Sequence, residues 1–154
     1  RGPVAALDRV LEPDLSNAAP FLAAALVTGG LLTVRDWPEA TTQPGAQLDR
    51  LLGAMGAAVR RTADGLEVTG GDRIAPLGAD LGEVGELTPV RAALCALADG
   101  ESRLTGIGHL RGHEPDRLQA LDEVLTAVGA RVRQLPDGLE IAPGPHRAAQ
   151  VGSY

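Results

Sequence analysis

The stretch 48-LDRLLGAMGAAVRRTADGLEVTGG-71 reappears without a gap as 121-LDEVLTAVGARVRQLPDGLEIAPG-144, and 13 of the 24 positions are identical. Upstream, 22-LAAALVTG-29 matches 93-ALCALADG-100 at an offset of 71 residues, against 73 for the longer block. Self-similarity at a fixed spacing marks one supersecondary unit used twice, so the unit has to be read before the whole.

Within the longer block, Leu and Val recur every three or four residues among charged residues. This predicts half-exposed helices over 45–56 and 115–128. Each is followed by a short alternating run, an Asp-Gly pair (Asp64-Gly65, Asp137-Gly138) and a second short run. Asp-Gly supplies the backbone angles that a tight hairpin needs, which predicts strands 57–62 with 66–69 and 131–135 with 139–142. Further upstream, an N-cap at Ser16/Asn17 opens an apolar helix over 18–28 that stops at Gly29-Gly30, and its counterpart spans 89–98. Strands at 9–12 and 31–36, then 77–81 and 103–107, complete two βαβαββ copies, 1–72 and 73–154. The fold class is α/β (α+β), built of repeated βαβαββ units.

Helices 18–28 and 89–98 are apolar nearly all round, which implies cover on every side. One two-layer unit cannot give that cover, so neighbouring units must. Where they do not, self-association is expected.

Composition narrows the partners. A net charge of −6 argues against nucleic-acid or anionic-membrane binding, both of which need a basic face. The longest apolar stretch, 18-AAPFLAAALVTGGLL-32, is short for a bilayer and holds Gly, Pro and Thr. Cys95 is the sole cysteine, so no disulfide or thiolate metal site forms within one chain, and a cytoplasmic, reducing home is expected. Aromatic residues number only three (Phe21, Trp37, Tyr154), leaving Ala, Leu and Val to fill the interior. The absent initiator Met and the abrupt ends suggest a piece of a longer chain.

The segment 110-LRGHEPDR-117 is oddly charged for a helix start. Pro115 suits the first helical position, and Glu114 and Asp116 suit the positive end of the helix dipole. Arg117 does not, since a cation in the first turn loses about 0.3–1 kcal/mol there.

Together, 12-EPDLSNAAPFLAAALVTGG-30, 85-GELTP-89 and 108-GHLRGHEPDRLQAL-121 closely resemble 5-enolpyruvylshikimate-3-phosphate synthase of an actinobacterial type. The likeness spans nearly the whole chain, and the last motif is specific to that family. It implies the inside-out α/β barrel of the enolpyruvyltransferases: two globular domains, each of three βαβαββ units around apolar helices. Two of the three units of one domain are present here. The third is expected soon after 152-GSY-154, opening with Tyr-Ala-Asp-His-Arg-Met-Ala; His146-Arg147 lies too early, in a Pro/Gly loop, to be that His-Arg.

The resemblance further implies transfer of the enolpyruvyl group of phosphoenolpyruvate to the 5-hydroxyl of shikimate 3-phosphate, with no metal and no organic cofactor. Side chains must then move the protons and hold the anions. Arg117 would bind the carboxylate or phosphate of phosphoenolpyruvate, offsetting its poor helix position. Glu114 would protonate the methylene carbon and later recover the proton. Glu86 would accept the 5-hydroxyl proton. His113 would contact the shikimate phosphate and the intermediate, with His109 and Arg111 flanking the site. Most family members carry Asp in place of Glu86 and Lys in place of His113, substitutions that fit an actinobacterial variant. Asp14, Ser16, Asn17 and Gln43 read as capping and turn residues. Two other readings stand beside this one: the sister enzyme acting on UDP-N-acetylglucosamine, which lacks the LRGHEPDR type of motif, and a non-catalytic fragment of the same fold. The chain alone is expected to be inactive, lacking the other domain and the third unit.

Overall fold

A computed structural model describes residues 2, 5–9 and 11–152. Helix α1 (Leu15–Thr28) leads into β1 (Leu31–Arg35), then a 3-10 turn at Pro44–Gln47 continues into α2 (Leu48–Ala54). The hairpin β2 (Ala58–Thr62) and β3 (Gly65–Thr69) follows. The second half repeats the order: β4 (Gly78–Asp80), a 3-10 turn at Gly85–Leu87, α3 (Thr88–Ala96) and β5 (Ser102–Thr105). A 3-10 turn at Gly108–Gly112, α4 (Arg117–Ala127), and the hairpin β6 (Arg131–Leu135) and β7 (Gly138–Ala142) close it. One sheet has the order β1-β3-β2, all antiparallel; the other has β4-β5-β7-β6, with β4 parallel to β5.

The four identical positions of the D-G-L-E stretch each have a physical cause. Leu66 and Leu139 are fully buried, one at the centre of each sheet's core. Burial of each contributes about 1.5–3 kcal/mol. A side chain at Gly65 would overlap the Val34 carbonyl oxygen, and one at Gly138 would overlap the Leu104 carbonyl oxygen, because the crossing strand comes too close. Glu67 pairs with Arg60 at 2.7 Å, and Glu140 pairs with Arg133 across the equivalent β6–β7 register. Both hairpins therefore keep D-G-L-E for the same reasons: turn geometry, close approach, core and cross-strand charge.

The strand expected at 9–12 does not form: Arg9, Leu11 and Glu12 are outside any strand, and Val10 lies outside the described residues. Leu11 is 86% exposed and Leu7 is exposed too, so ordering this segment gains no apolar burial to offset its entropy. Among the described residues, the first sheet thus has three strands and the second four. The cap of α1 also differs from expectation. Asp14, not Ser16 or Asn17, sits at the N-cap, its carboxylate accepting from the Asn17 amide at 3.0 Å. Likewise α4 starts at Arg117 behind an Asp116 cap, leaving Pro115 outside the helix. Aspartate, asparagine and serine cap about equally well, so residue type alone does not choose among Asp14, Ser16 and Asn17, whereas Asp116 is a far better cap than Pro115 or Arg117.

Helices α1 and α3 pack against each other between the two sheets, within one continuous core cluster. Their cover is incomplete. A groove of about 350 Å³ runs between them, lined by Pro20, Ala24, Val27, Val90, Ala93 and Leu97, and Phe21 beside it is 64% exposed. The expected burial on every side is met on the sheet-facing sides only.

One buried group is out of place. Arg91 on α3 is only 2% exposed, and among the described residues its Nε and Nη2 atoms have no hydrogen-bond partner. Desolvation, assisted by Arg50, lowers its pKa to about 10, against a smaller opposite effect from Cys95. The Cys95 thiol is buried in the same core, and burial pushes its pKa up. It is a packing residue held away from the thiolate form.

Candidate active site

The α4 N-terminus builds the charged turn. Asp116 accepts from the Leu118 and Gln119 amides at 2.9 and 3.1 Å, satisfying donors at the start of the helix. Arg117 follows at the first helical position, exposed and without an ion pair among the described residues. Glu114 and Arg117 both line a groove of about 370 Å³, whose floor is Ala120, Leu121 and Val124 and whose far wall includes Pro89 of α3. An acid, an unpaired guanidinium, a helix N-terminus and an apolar floor thus share one concavity. That combination suits a small anion carrying an apolar reacting carbon.

Arg111 is differently placed. Its Nη1 donates to Gln134 Oε1 at 2.7 Å, its Nη2 donates to the Leu135 carbonyl at 2.8 Å, and Asp116 lies 3.6 Å from Nη1. These contacts tie the turn to the end of β6 and orient the Asp116 cap. His113 stands exposed in extended backbone just before Glu114, its amide donating to the Leu110 carbonyl. His109 lies against Gly85: a Cβ placed there would come 2.9 Å from His109 Nε2. Gly85 therefore gives the imidazole room beside Glu86, in the 3-10 turn ahead of α3.

Glu86 meets a partner that the sequence reading did not supply. Its Oε1 accepts a hydrogen bond from Ser16 Oγ, in the first turn of α1. That turn is itself clamped by Gln43, whose Oε1 accepts from the Leu15 amide at 2.9 Å and whose Nε2 donates to the Pro13 carbonyl at 2.9 Å. Of the six predicted site residues, Glu114 and Arg117 share the groove, while Glu86 and His109 do not line it; His109 lies against Gly85, the residue before Glu86. Arg111 is turned to the β6 end, and His113 has no side-chain partner among the described residues. Gln43 and Ser16 were read as turn and cap; nothing local in sequence marks contacts made across 28 and 70 positions.

The profile of the EPSP synthase (3-phosphoshikimate 1-carboxyvinyltransferase) family matches residues 3–154. The chain belongs to the EPSP synthase family. It is 52% identical over 142 residues to a curated 3-phosphoshikimate 1-carboxyvinyltransferase of Kocuria rhizophila, matching 92% of this chain and 32% of that protein. The chain therefore spans about a third of the length of the relative it matches. Among solved structures, an EPSP synthase from Acinetobacter baumannii superposes with a TM-score of 0.74 at 24% identity, over 86% of this chain and 32% of that one. The enolpyruvyl transferase NikO from Streptomyces tendae superposes with a TM-score of 0.60 at 18% identity, over 89% of this chain and 32% of that one. At such identities the two structures speak for the enolpyruvyltransferase fold alone. No helix among the described residues is long and apolar enough to cross a membrane.

Proposed function

We propose that these residues form part of an enzyme that transfers the enolpyruvyl group of phosphoenolpyruvate to the 5-hydroxyl of shikimate 3-phosphate, releasing phosphate, in the aromatic amino-acid pathway of the cytoplasm. The observation that carries the reading is the placing of Glu114 and Arg117, which has no ion pair among the described residues, in one groove at the start of α4. The 52% identity to a 3-phosphoshikimate 1-carboxyvinyltransferase supports it. In this reading residues 1–72 and 73–154 are two repeat units of one domain, and the groove completes its substrate cleft with parts of the enzyme beyond them.

Arg117 and the free amides of α4 hold the phosphoenolpyruvate anion. Glu114 donates its proton to the methylene carbon, raising electrophilicity at the adjacent carbon, which the 5-hydroxyl oxygen attacks while Glu86 takes the hydroxyl proton. In the tetrahedral intermediate that results, Glu114 removes a proton from the new methyl group. The carbon–carbon double bond re-forms, the carbon–oxygen bond to phosphate breaks, and the proton on Glu86 leaves with the phosphate. His113 contacts the shikimate phosphate and the intermediate, and His109 contacts shikimate 3-phosphate. Arg111 serves by holding the turn through Gln134, Leu135 and Asp116.

Phosphate release tests this directly. In the full-length enzyme, Arg117→Ala is expected to raise the KM for phosphoenolpyruvate about 10- to 100-fold, as loss of a hydrogen bond to a charged group worth ~1.5–3 kcal/mol requires. The 154-residue chain alone is expected to release no phosphate from the two substrates, since closing two domains on a shared cleft needs both. An unchanged KM in the variant, or turnover by the isolated chain, contradicts the proposal.

A further inference from the structure

The start of α1 carries one hydroxyl more than its capping requires. Asp14 already accepts from the Asn17 amide and from the Asn17 side chain, at 3.0 and 2.9 Å, so the Ser16 hydroxyl is released from the role that its position suggests. It donates instead across 70 residues to Glu86 Oε1. Glu86 is exposed, sits in a three-residue 3-10 turn and, among the described residues, has no other side-chain partner. A glutamate has three side-chain torsions to fix, one more than an aspartate, so a carboxylate used for proton transfer needs a second group to hold it. A serine hydroxyl can do this with one donor, occupying Oε1 and leaving Oε2 open to accept.

The support behind Ser16 is rigid. Gln43 bonds both the Leu15 amide and the Pro13 carbonyl, bracketing the residue on its N-terminal side, and Leu15 is fully buried. His109 Nε2 lies over Gly85, the residue before Glu86.

We propose that Ser16 is a positioning residue of this site: its hydroxyl, held in place by the Gln43 clamp, fixes the Glu86 carboxylate so that Oε2 receives the proton of the substrate hydroxyl. The inference rests on the proposed role of Glu86 as that proton acceptor. A misplaced base slows the chemical step without weakening ground-state binding.

The test compares Ser16→Ala, Ser16→Thr, Glu86→Gln and the Ser16→Ala/Glu86→Gln double variant in the full-length enzyme, by steady-state phosphate release and thermal unfolding. Ser16→Ala is expected to lower kcat about 10- to 100-fold, with both KM values and Tm essentially unchanged. Ser16→Thr, which keeps the donor, restores most of the rate. In the double variant, loss of Ser16 adds nothing to the loss from Glu86→Gln, because the two act as one unit. The inference is overturned if Ser16→Ala leaves kcat at the wild-type value while Glu86→Gln abolishes it. A fall in Tm and rate together that Thr does not rescue overturns it as well, leaving Ser16 a strut between the repeats. A silent Glu86→Gln overturns the underlying role of Glu86, and this inference falls with it, a result distinguishable from the first two.

Discussion

Replacing Glu114 with Gln in the full-length enzyme is expected to lower kcat by about 10²- to 10⁴-fold, with the KM for phosphoenolpyruvate changed only modestly. The amide has nearly the shape of the carboxyl and preserves the lining of the groove shared with Arg117. What it cannot do is give a proton to carbon and take it back. In the proposed reaction, protonation of the methylene makes the neighbouring carbon electrophilic, and the apolar residues lining the groove, Pro89, Pro115, Ala120, Leu121 and Val124, have no exchangeable side-chain proton. Steady-state phosphate release measures both constants. An unchanged kcat would move the acid to another residue of the turn, with His113 the nearest in sequence.

A second large effect is expected far from the chemistry. Arg91→Leu should stabilise the chain by about 1–3 kcal/mol, since replacing an imperfectly paired buried charge by an apolar side chain of similar size is commonly neutral or favourable. The guanidinium is 2% exposed with two nitrogens unpartnered among the described residues, and desolvation chiefly lowers its pKa to about 10. At about 1.4 kcal/mol per pH unit, holding it charged in the fold costs on the order of 3 kcal/mol. The sign with pH follows from proton binding. Below pH ~10 both folded and unfolded states carry the proton, so the whole cost is present. Above about pH 10 the folded state releases the proton before the unfolded state does, so the cost falls as pH rises. The stability gap between Arg91→Leu and the unaltered chain should therefore be widest at neutral pH and narrow above pH ~10. Urea unfolding of both chains at pH 7 and pH 11 checks this. A variant no more stable at pH 7, or a gap that widens with pH, contradicts it.

Legibility followed the range of each interaction. Both hairpins could be placed because Asp-Gly turn chemistry and the alternation around it are local, and because the two copies confirm each other position by position. The helix starts were legible only to within a few residues, since Pro115, Asp116 and Arg117 compete to define one end and the capping strength of Asp116 prevails. The strand at 9–12 has suitable residue types, but strand formation depends on burial that Leu11 does not obtain. Arg91 was invisible as a problem, because an arginine on a mostly apolar helix ordinarily reaches solvent; packing between the two repeats closes that route. The candidate site divides in the same way. Glu114 and Arg117 are three residues apart and legible as a pair within one charged segment at the start of α4. The Ser16–Glu86 bond and the Gln43 clamp join segments 70 and 28 residues apart, and no periodicity or spacing encodes them.

The most direct measurement is a structure of the full-length enzyme with phosphoenolpyruvate, or the tetrahedral adduct, and shikimate 3-phosphate bound. The account predicts the phosphoenolpyruvate carboxylate or phosphate within hydrogen-bond distance of the Arg117 guanidinium, with the Glu114 carboxyl beside the methylene carbon. Density for that ligand away from the α4 N-terminus, with Arg117 and Glu114 both facing solvent, would contradict it.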